Sequence, residues 1–278
     1  MARITALHIY PVKSCRGITL QHATVAVTGF THDREWMIVR PNGQLVTQRE
    51  EPRLALVETA IADGALTLSA PQVGALAVPL DPDHVDAGGG PVEVMCWRDR
   101  CAAFDAGNNA ARWLEAHLGK PYRLVRFDPA HKRPSDAKWT GDIEALSQFS
   151  DGFAYLVISQ ASLDDLNGRL AQPLPMNRFR PNIVVDGLPA YGEDRVHEFS
   201  ADGVRLRVAK SCTRCAIPTT DQETGERDGE EPLRTLRSYR FSSELRGVLF
   251  GQNAILSAGA GRQLSVGQEL EVDWKVHE

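Results

Sequence analysis

The chain has 278 residues and a formal net charge of −5, with 42% apolar and 24% charged residues. That length fits one large or two medium domains, and the negative balance argues against a surface built to coat nucleic acid. No apolar run approaches the ~20 residues that cross a bilayer, and Met1–Leu7 lacks the basic region and apolar core of a secretory signal. Five cysteines are an odd number in a chain too large to need covalent staples, which fits free or metal-bound thiols in a reducing cytoplasm. Arginine outnumbers lysine, a bias suited to bidentate anion contacts.

Residues 4–10 read as a strand ended by Pro11. Lys13, Ser14, Cys15, Arg16 and Gly17 then form a turn with two cations, a hydroxyl and a glycine. Such a turn suits an anion cradle, and it also suits an exposed loop with an incidental lysine. Strands are expected at Ala23–Val27 and Trp36–Val39, with Asp33 and Arg34 just ahead of the second. Pro41-Asn42-Gly43 predicts a tight turn that folds Trp36–Arg40 back on Leu45–Arg49. Further strands are expected at Leu54–Thr59 and Leu66–Ser69, the second after a turn at Asp63-Gly64. Short strands with this punctuation predict a β-rich first domain, a barrel or curled sheet. Residues 81–91 read as a loop. Asp105 to Leu118 reads as a helix with Asp105 as N-cap, Ala110, Trp113, Leu114 and Leu118 on one face, and Gly119 and Pro121 beyond it.

The polar stretch 128–150 reads either as a lid or as a surface loop, and the domain junction falls just before it, giving units of residues 1–122 and 123–278. A strand follows at Phe153–Ile158, then a helix with Leu163, Leu166 and Leu170 on one face. Pro181 predicts an extended Arg180 ahead of a strand at 183–185. Val204, Leu206 and Val208 alternate with arginines, and Leu270, Val272, Trp274 and Val276 alternate with charged residues, so both runs read as half-buried strands. The fold class is therefore mostly β with a few helices.

The first of these strands leads into Cys212-Thr-Arg-Cys215, where a cation and hydroxyls surround two thiols. Thiolates at neutral pH need such neighbours. A structural zinc site lacks its second pair of ligands, since the other close cysteines, Cys96 and Cys101, have no histidine pair beside them. A thioredoxin-type dithiol would follow a strand and open a helix, and here Pro218, Thr219 and Thr220 follow instead. The spacings of a plant-type iron–sulfur cluster are missing. Inert core cysteines, or one thiolate ligating a metal-bearing anionic cofactor, are the remaining readings.

Six motifs in order carry a resemblance: Tyr10-Pro-Val-Lys-Ser-Cys-Arg-Gly17, Asp33-Arg34, Thr47-x-Arg49, Phe179-Arg-Pro-Asn182, Cys212-Thr-Arg-Cys215 and Phe250-Gly-Gln252. From residue 4 to about 275 the chain resembles the MOSC-domain family, which is related to the C-terminal domain of molybdenum cofactor sulfurase. Within that family it is most similar to the bacterial YcbX proteins and the mitochondrial amidoxime-reducing component. The resemblance implies an N-terminal β-barrel domain followed by a MOSC β-barrel domain, with molybdenum-molybdopterin between them. It implies Cys215 as the metal ligand, Cys212, Thr213 and Arg214 as cofactor-lining residues, and Lys13, Ser14, Arg34, Arg180 and Asn182 as the pterin and phosphate contacts. The implied activity is two-electron reduction of small N-hydroxylated compounds (amidoximes, hydroxylamines, N-hydroxylated base analogues), with Asp151 near the metal aiding proton delivery. Longer YcbX relatives carry a ferredoxin-like domain. This chain ends at Glu278, so a separate ferredoxin- or flavin-type protein is expected to donate electrons. A family threonine three residues after the metal cysteine is Pro218 here, while Thr219 matches. A non-catalytic cofactor carrier or sulfur-transfer protein is the alternative reading.

Overall fold

A computed structural model describes residues 1–81, 86–227 and 229–276. Of the loop expected over 81–91, residues 82–85 lie outside the described residues.

Seven strands close into a barrel. Around it run Tyr155–Ser159, Ile183–Asp186, Ala2–Ile9, Glu269–Trp274, Val196–Ala201, Val204–Arg214 and Gly247–Ala258, and the last pairs back with Tyr155–Ser159. Closure leaves no open edge in the ring. The one parallel pair, Tyr155–Ser159 with Ile183–Asp186, is joined through the helix Gln160–Asn167, as a parallel crossover requires. That helix buries Leu163 and Leu166. Alternation sets the barrel interior: Ile4, Ile183, Val185, Phe199, Val204, Leu206, Ala254 and Leu270 form one buried cluster. Burying each large aliphatic among them is worth about 1.5–3 kcal/mol before entropy.

The first half is built from a four-stranded sheet (Trp36–Val39, Arg123–Phe127, Asp99–Asp105, Gly90–Cys96) and a three-stranded meander (Glu58–Ala62, Ala65–Ala70, Val73–Pro79). Strand pairing crosses the 122/123 boundary in both directions. Ala2–Ile9 belongs to the barrel of the second half, and Arg123–Phe127 pairs with Trp36–Val39, where Arg126 also meets Glu35 at 2.5 Å.

Several local expectations change. The turn at Pro41-Asn42-Gly43 forms, but its return arm pairs with Trp36–Val39 only through the isolated bridge of Val39 to Leu45, flanked by Arg40 N–H to Gln44 O (2.8 Å) and Val46 N–H to Ile38 O (2.9 Å), while Leu45 N–H faces outward and donates to Met95 O (3.3 Å). Pro52 opens a short 3-10 helix to Leu56, so the strand starts at Glu58. The first long helix begins at Asn108, behind Gly107. Asp105 is not its cap, because its carboxylate accepts the Gly107 N–H (2.8 Å) and holds Arg123 (2.7 Å). In the last strand Leu270 is buried, but Trp274 is 41% exposed. The stretch 128–150 is tied down by Arg133, which is 5% exposed and donates to Gln148 O and Ser150 O (both 2.7 Å) and to Asp99 (2.7 Å). This strap fixes the chain just ahead of Asp151. Among the described residues no helix is long and apolar enough to cross a membrane.

Candidate active site

Strand Val204–Arg214 slips three times in register against Gly247–Ala258, between Arg205 and Leu206, between Val208 and Lys210, and between Ser211 and Thr213. Each bulge re-aims the side chains beyond it. The strand's end therefore places Lys210, Cys212, Thr213 and Arg214, followed by Cys215, on the wall of a cavity of about 230 Å³. Lys13 and Ser14 face it from the turn after the first strand, Arg34 from the turn before Trp36, and Arg180 and Asn182 from the segment entering Ile183–Asp186. Asp151 completes the set, so every residue nominated from the sequence lines this one cavity. Thr47, Arg49, Trp97 and Ser150 line it as well. In a chain of net charge −5, the wall carries six cations (Lys13, Arg34, Arg49, Arg180, Lys210, Arg214) against one acid, Asp151. Cations gathered between low-dielectric walls focus a positive potential on the space they enclose.

Tyr10 is the post on which two of these cations rest. The guanidinium carbons of Arg34 and Arg180 lie 4.3 and 4.2 Å from its ring centroid. The ring is fixed by a hydrogen bond from its hydroxyl to Pro181 O at 3.0 Å. Gly17 leaves room for it, since a Cβ there would stand 2.5 Å from a ring carbon of Tyr10. Arg34 donates to Asp33 (2.6 Å) and to Asn182 Oδ1 (3.0 Å). Asn182 is 1% exposed and also accepts from Leu156 N (3.1 Å) and donates to His8 O (3.2 Å), so its amide orients Arg34 and ties strands together.

Arg180 is not extended, as Pro181 predicted, but left-handed, with φ +56°. Its N–H closes a turn onto Asn177 O (3.2 Å), and its carbonyl accepts from Arg34 Nη2 (3.2 Å). These contacts and the stacking on Tyr10 outweigh the pre-proline steric preference and a left-handed penalty of about 1–2 kcal/mol. The side chain is 8% exposed and its Nη2 has no partner among the described residues. Burial, with added repulsion from Arg34, lowers the guanidinium's pKa to about 10. A buried donor cation without an acceptor is costly unless an anion arrives to meet it.

The opposite corner is built on Trp97. It occupies the turn between Cys96 and Asp99 with φ +60°, a strained conformation for a bulky residue that costs about 1–3 kcal/mol. Its ring lies beneath the Arg49 guanidinium (4.4 Å) and the Lys13 ammonium (5.4 Å). Arg49 is presented by Thr47, whose hydroxyl accepts the Arg49 N–H at 3.2 Å. Lys13, 6% exposed, donates to Phe149 O (2.7 Å) and to Asp151 Oδ1 (2.5 Å), and Trp97 Nε1 donates to the same Oδ1 (3.1 Å). Enclosure would raise the Asp151 pKa, but Lys13, Arg49 and the Trp97 N–H outweigh it and hold the carboxyl well below the usual range. In this geometry the Asp151 carboxylate accepts hydrogen bonds from Lys13 and Trp97.

The two motif cysteines are not equivalent. Cys212 packs with Phe179 and Phe250 and accepts from Arg214 Nη1 at 3.2 Å, while burial, opposed by Arg214, raises its pKa. Cys215 is half-buried on the cavity wall, and no described residue hydrogen-bonds its thiol. Burial pushes Cys15 up to about 12 and Cys101 up to about 11, so these are inert packing groups. All five cysteines are free. Among the described residues no three His, Cys, Asp or Glu side chains converge to hold a metal. The Phe250-Gly-Gln252 motif backs the wall, with Phe250 against Phe179 (4.2 Å between centroids) and Gln252 bonded to Asp194 (2.6 Å). Thr219 turns its hydroxyl onto Ala216 O (2.7 Å), closing its own turn. Arg49 was legible only as part of a motif. Trp97 belongs to none of the motifs read from the sequence and left no signal there.

The chain combines a closed β-barrel with a cation-lined, cysteine-bearing cavity. Two family models match the chain, the MOSC N-terminal beta barrel domain over residues 1–121 and the MOSC domain over residues 146–271. It is 35% identical to mitochondrial amidoxime-reducing component 1 of Mus musculus over 90% of this chain and 74% of the relative. The Homo sapiens counterpart is 34% identical over 91% of this chain and 76% of its own length. Mitochondrial amidoxime reducing component 2 of Rattus norvegicus is 33% identical over 93% and 81%. The chain belongs to the MOSC-domain family, in the branch that holds the mitochondrial amidoxime-reducing components.

Proposed function

We propose that the chain binds molybdenum-molybdopterin in this cavity and reduces small N-hydroxylated compounds, with electrons from a separate ferredoxin- or flavin-type protein. The observation that carries the reading is that one cavity is lined both by a buried Arg180, whose Nη2 has no partner among the described residues, and by the half-buried Cys215 thiol. The first calls for an anion, and the second offers the soft donor that a molybdenum–dithiolene centre takes. Ser150, whose buried hydroxyl also has no partner, adds a donor at the same wall. The residues present therefore fit the group.

In this reading Arg34, Arg180, Lys13 and Ser14 hold the pterin and its phosphate, Asn182 orients Arg34, and Cys215 is the protein's ligand to the metal. Cys212, Thr213 and Arg214 form the adjacent wall, with Arg214 braced on Phe179 O at 2.7 Å. The cofactor supplies the two-electron chemistry, and the protein binds, orients and sets the charge around it. The substrate's N–OH bond is cleaved with two electrons and two protons, giving the N–H product and water. Free thiols throughout the chain suit a reducing compartment such as the cytoplasm.

The test is reduction of benzamidoxime by cofactor-loaded protein with a chemical reductant. Turnover that disappears in Cys215→Ala is the expected result. No turnover by a molybdenum-loaded sample would remove the reductase reading and leave the carrier or sulfur-transfer role.

A further inference from the structure

Of the six cations on the cavity wall, four are buried or braced on protein groups. Lys13 donates to Phe149 O and Asp151, Arg34 to Asp33 and Asn182, and Arg214 to Phe179 O and Cys212, while Arg180 is buried against Tyr10. Arg49 and Lys210 differ. Arg49 is exposed and Lys210 half-buried, and neither charged end has a hydrogen bond or an ion pair among the described residues. Each is laid on an indole face instead. The Arg49 guanidinium lies 4.4 Å from the Trp97 ring centroid, and Lys210 Nζ lies 4.8 Å from that of Trp139. A ring face holds a cation in place and leaves its N–H donors free. Trp139 belongs to the short helix Ala137–Thr140, which Arg207 fastens to the barrel by donating to Thr140 O. The exposed Lys138 lies 4.8 Å from the same ring and adds charge at that edge. The one acid of the wall, Asp151, feels the Arg49 charge, but its Oδ1 is already taken by Lys13 and Trp97.

We propose that Arg49 and Lys210 form an anion subsite for the substrate, so that the protein prefers N-hydroxylated compounds carrying a carboxylate or phosphate over neutral ones. The inference rests on the reductase reading above and adds a charge requirement to its substrate class. In that reading the inner cations serve the cofactor. An oxyanion arriving from solvent meets the outer pair, whose donors have no protein acceptor to give up. The two indole rings restrict long, flexible side chains beforehand, so less freedom is lost when the ligand binds. A charge-assisted hydrogen bond from either residue is worth about tenfold or more in affinity.

The experiment uses cofactor-loaded wild type, Arg49→Gln, Lys210→Gln and the charge-preserving Lys210→Arg, with benzamidoxime and para-carboxybenzamidoxime as substrates. Binding of the same two compounds and of benzoate is measured by calorimetry without reductant, and thermal midpoints confirm folding. In wild type, kcat/KM is expected to favour the carboxylated substrate about tenfold or more, through KM rather than kcat. That preference should fall about tenfold in each glutamine variant and survive in Lys210→Arg, where a merely structural role would not follow charge. It should also weaken as salt rises, because exposed charges are screened. Calorimetry should show the same preference and the same losses. No preference in wild type, or equal losses for both compounds in the variants, overturns the proposal. Benzoate binding as tightly as para-carboxybenzamidoxime would assign the pair to free anions, and loss of bound molybdenum in either glutamine variant would assign it to the cofactor. Either result also overturns the proposal. If the calorimetric preference is present and lost in the glutamine variants while no sample turns over, the subsite stands and the reductase reading fails. If wild type binds and turns over both compounds alike, only the subsite fails.

Discussion

Arg34 donates from Nη2 to the backbone carbonyl of Arg180 at 3.2 Å, and both guanidiniums rest on the ring of Tyr10. Residues 146 positions apart in sequence are thereby locked into one cationic unit. Arg34 pairs directly with the Asp33 carboxylate at 2.6 Å. Arg180 is buried with no hydrogen-bond partner for its Nη2 among the described residues.

Arg180→Met should therefore leave the cofactor-free protein as stable as wild type, or more stable by about 1 kcal/mol, because a desolvated charge is replaced by an apolar chain. Molybdenum retained through purification should fall by about tenfold or more. Urea unfolding and elemental analysis of the same preparations check both halves. A large loss of stability without loss of metal would assign Arg180 a structural role instead.

Gly17→Ala should act at a distance. The added methyl meets Tyr10 at 2.5 Å, so the ring must shift and carry Arg34 and Arg180 with it. We expect a cost of about 2 kcal/mol and weaker cofactor retention. Arg16→Ala, one residue earlier, is the comparison, and its cofactor retention should stay near wild type.

Asn182→Ala removes three hydrogen bonds from a residue that is 1% exposed, leaving the Leu156 N–H and His8 O without their partner. The expected cost is about 3 kcal/mol in chemical denaturation. A loss under about 0.5 kcal/mol, the range of ordinary surface substitutions, would contradict the hub assigned to it.

The Lys13–Asp151 pair carries a pH signature. The folded-state pKa of Asp151 lies below its unfolded value, so its contribution is fully present above the unfolded pKa of about 3.9. It is lost as pH falls through the folded value. The stability difference between wild type and Asp151→Asn should be largest near neutrality and shrink below about pH 4. Denaturant midpoints at two pH values measure it, and a difference that grows on acidification would reverse the sign.

The cationic turn, the paired thiols and the barrel's alternating strands were legible because each is local. Lys13, Arg34 and Cys215 sit inside short motifs, and Val204, Leu206 and Val208 declare their inward face by alternation. What stayed hidden is non-local. Ala2–Ile9 completes a barrel whose partner strand begins at Ile183, and no local pattern encodes that pairing. Arg180 defied the rule for residues before proline because Tyr10 and Arg34, far away in sequence, reward the left-handed conformation. Trp97 joins the site from a turn of the other sheet, and its role appears only once Asp151 and Arg49 stand beside it. Asp105 has the chemistry of a helix cap, but Arg123 claims its carboxylate.

The central claim is that Cys215 is the protein's ligand to a molybdenum held by the cations around it. X-ray absorption at the molybdenum edge, on protein purified from a cofactor-competent host, tests this most directly. The account predicts about one molybdenum per chain in wild type, with one sulfur neighbour lost in Cys215→Ser and none lost in Cys212→Ser. Stoichiometric zinc without molybdenum, or an unchanged sulfur shell in Cys215→Ser, would contradict it.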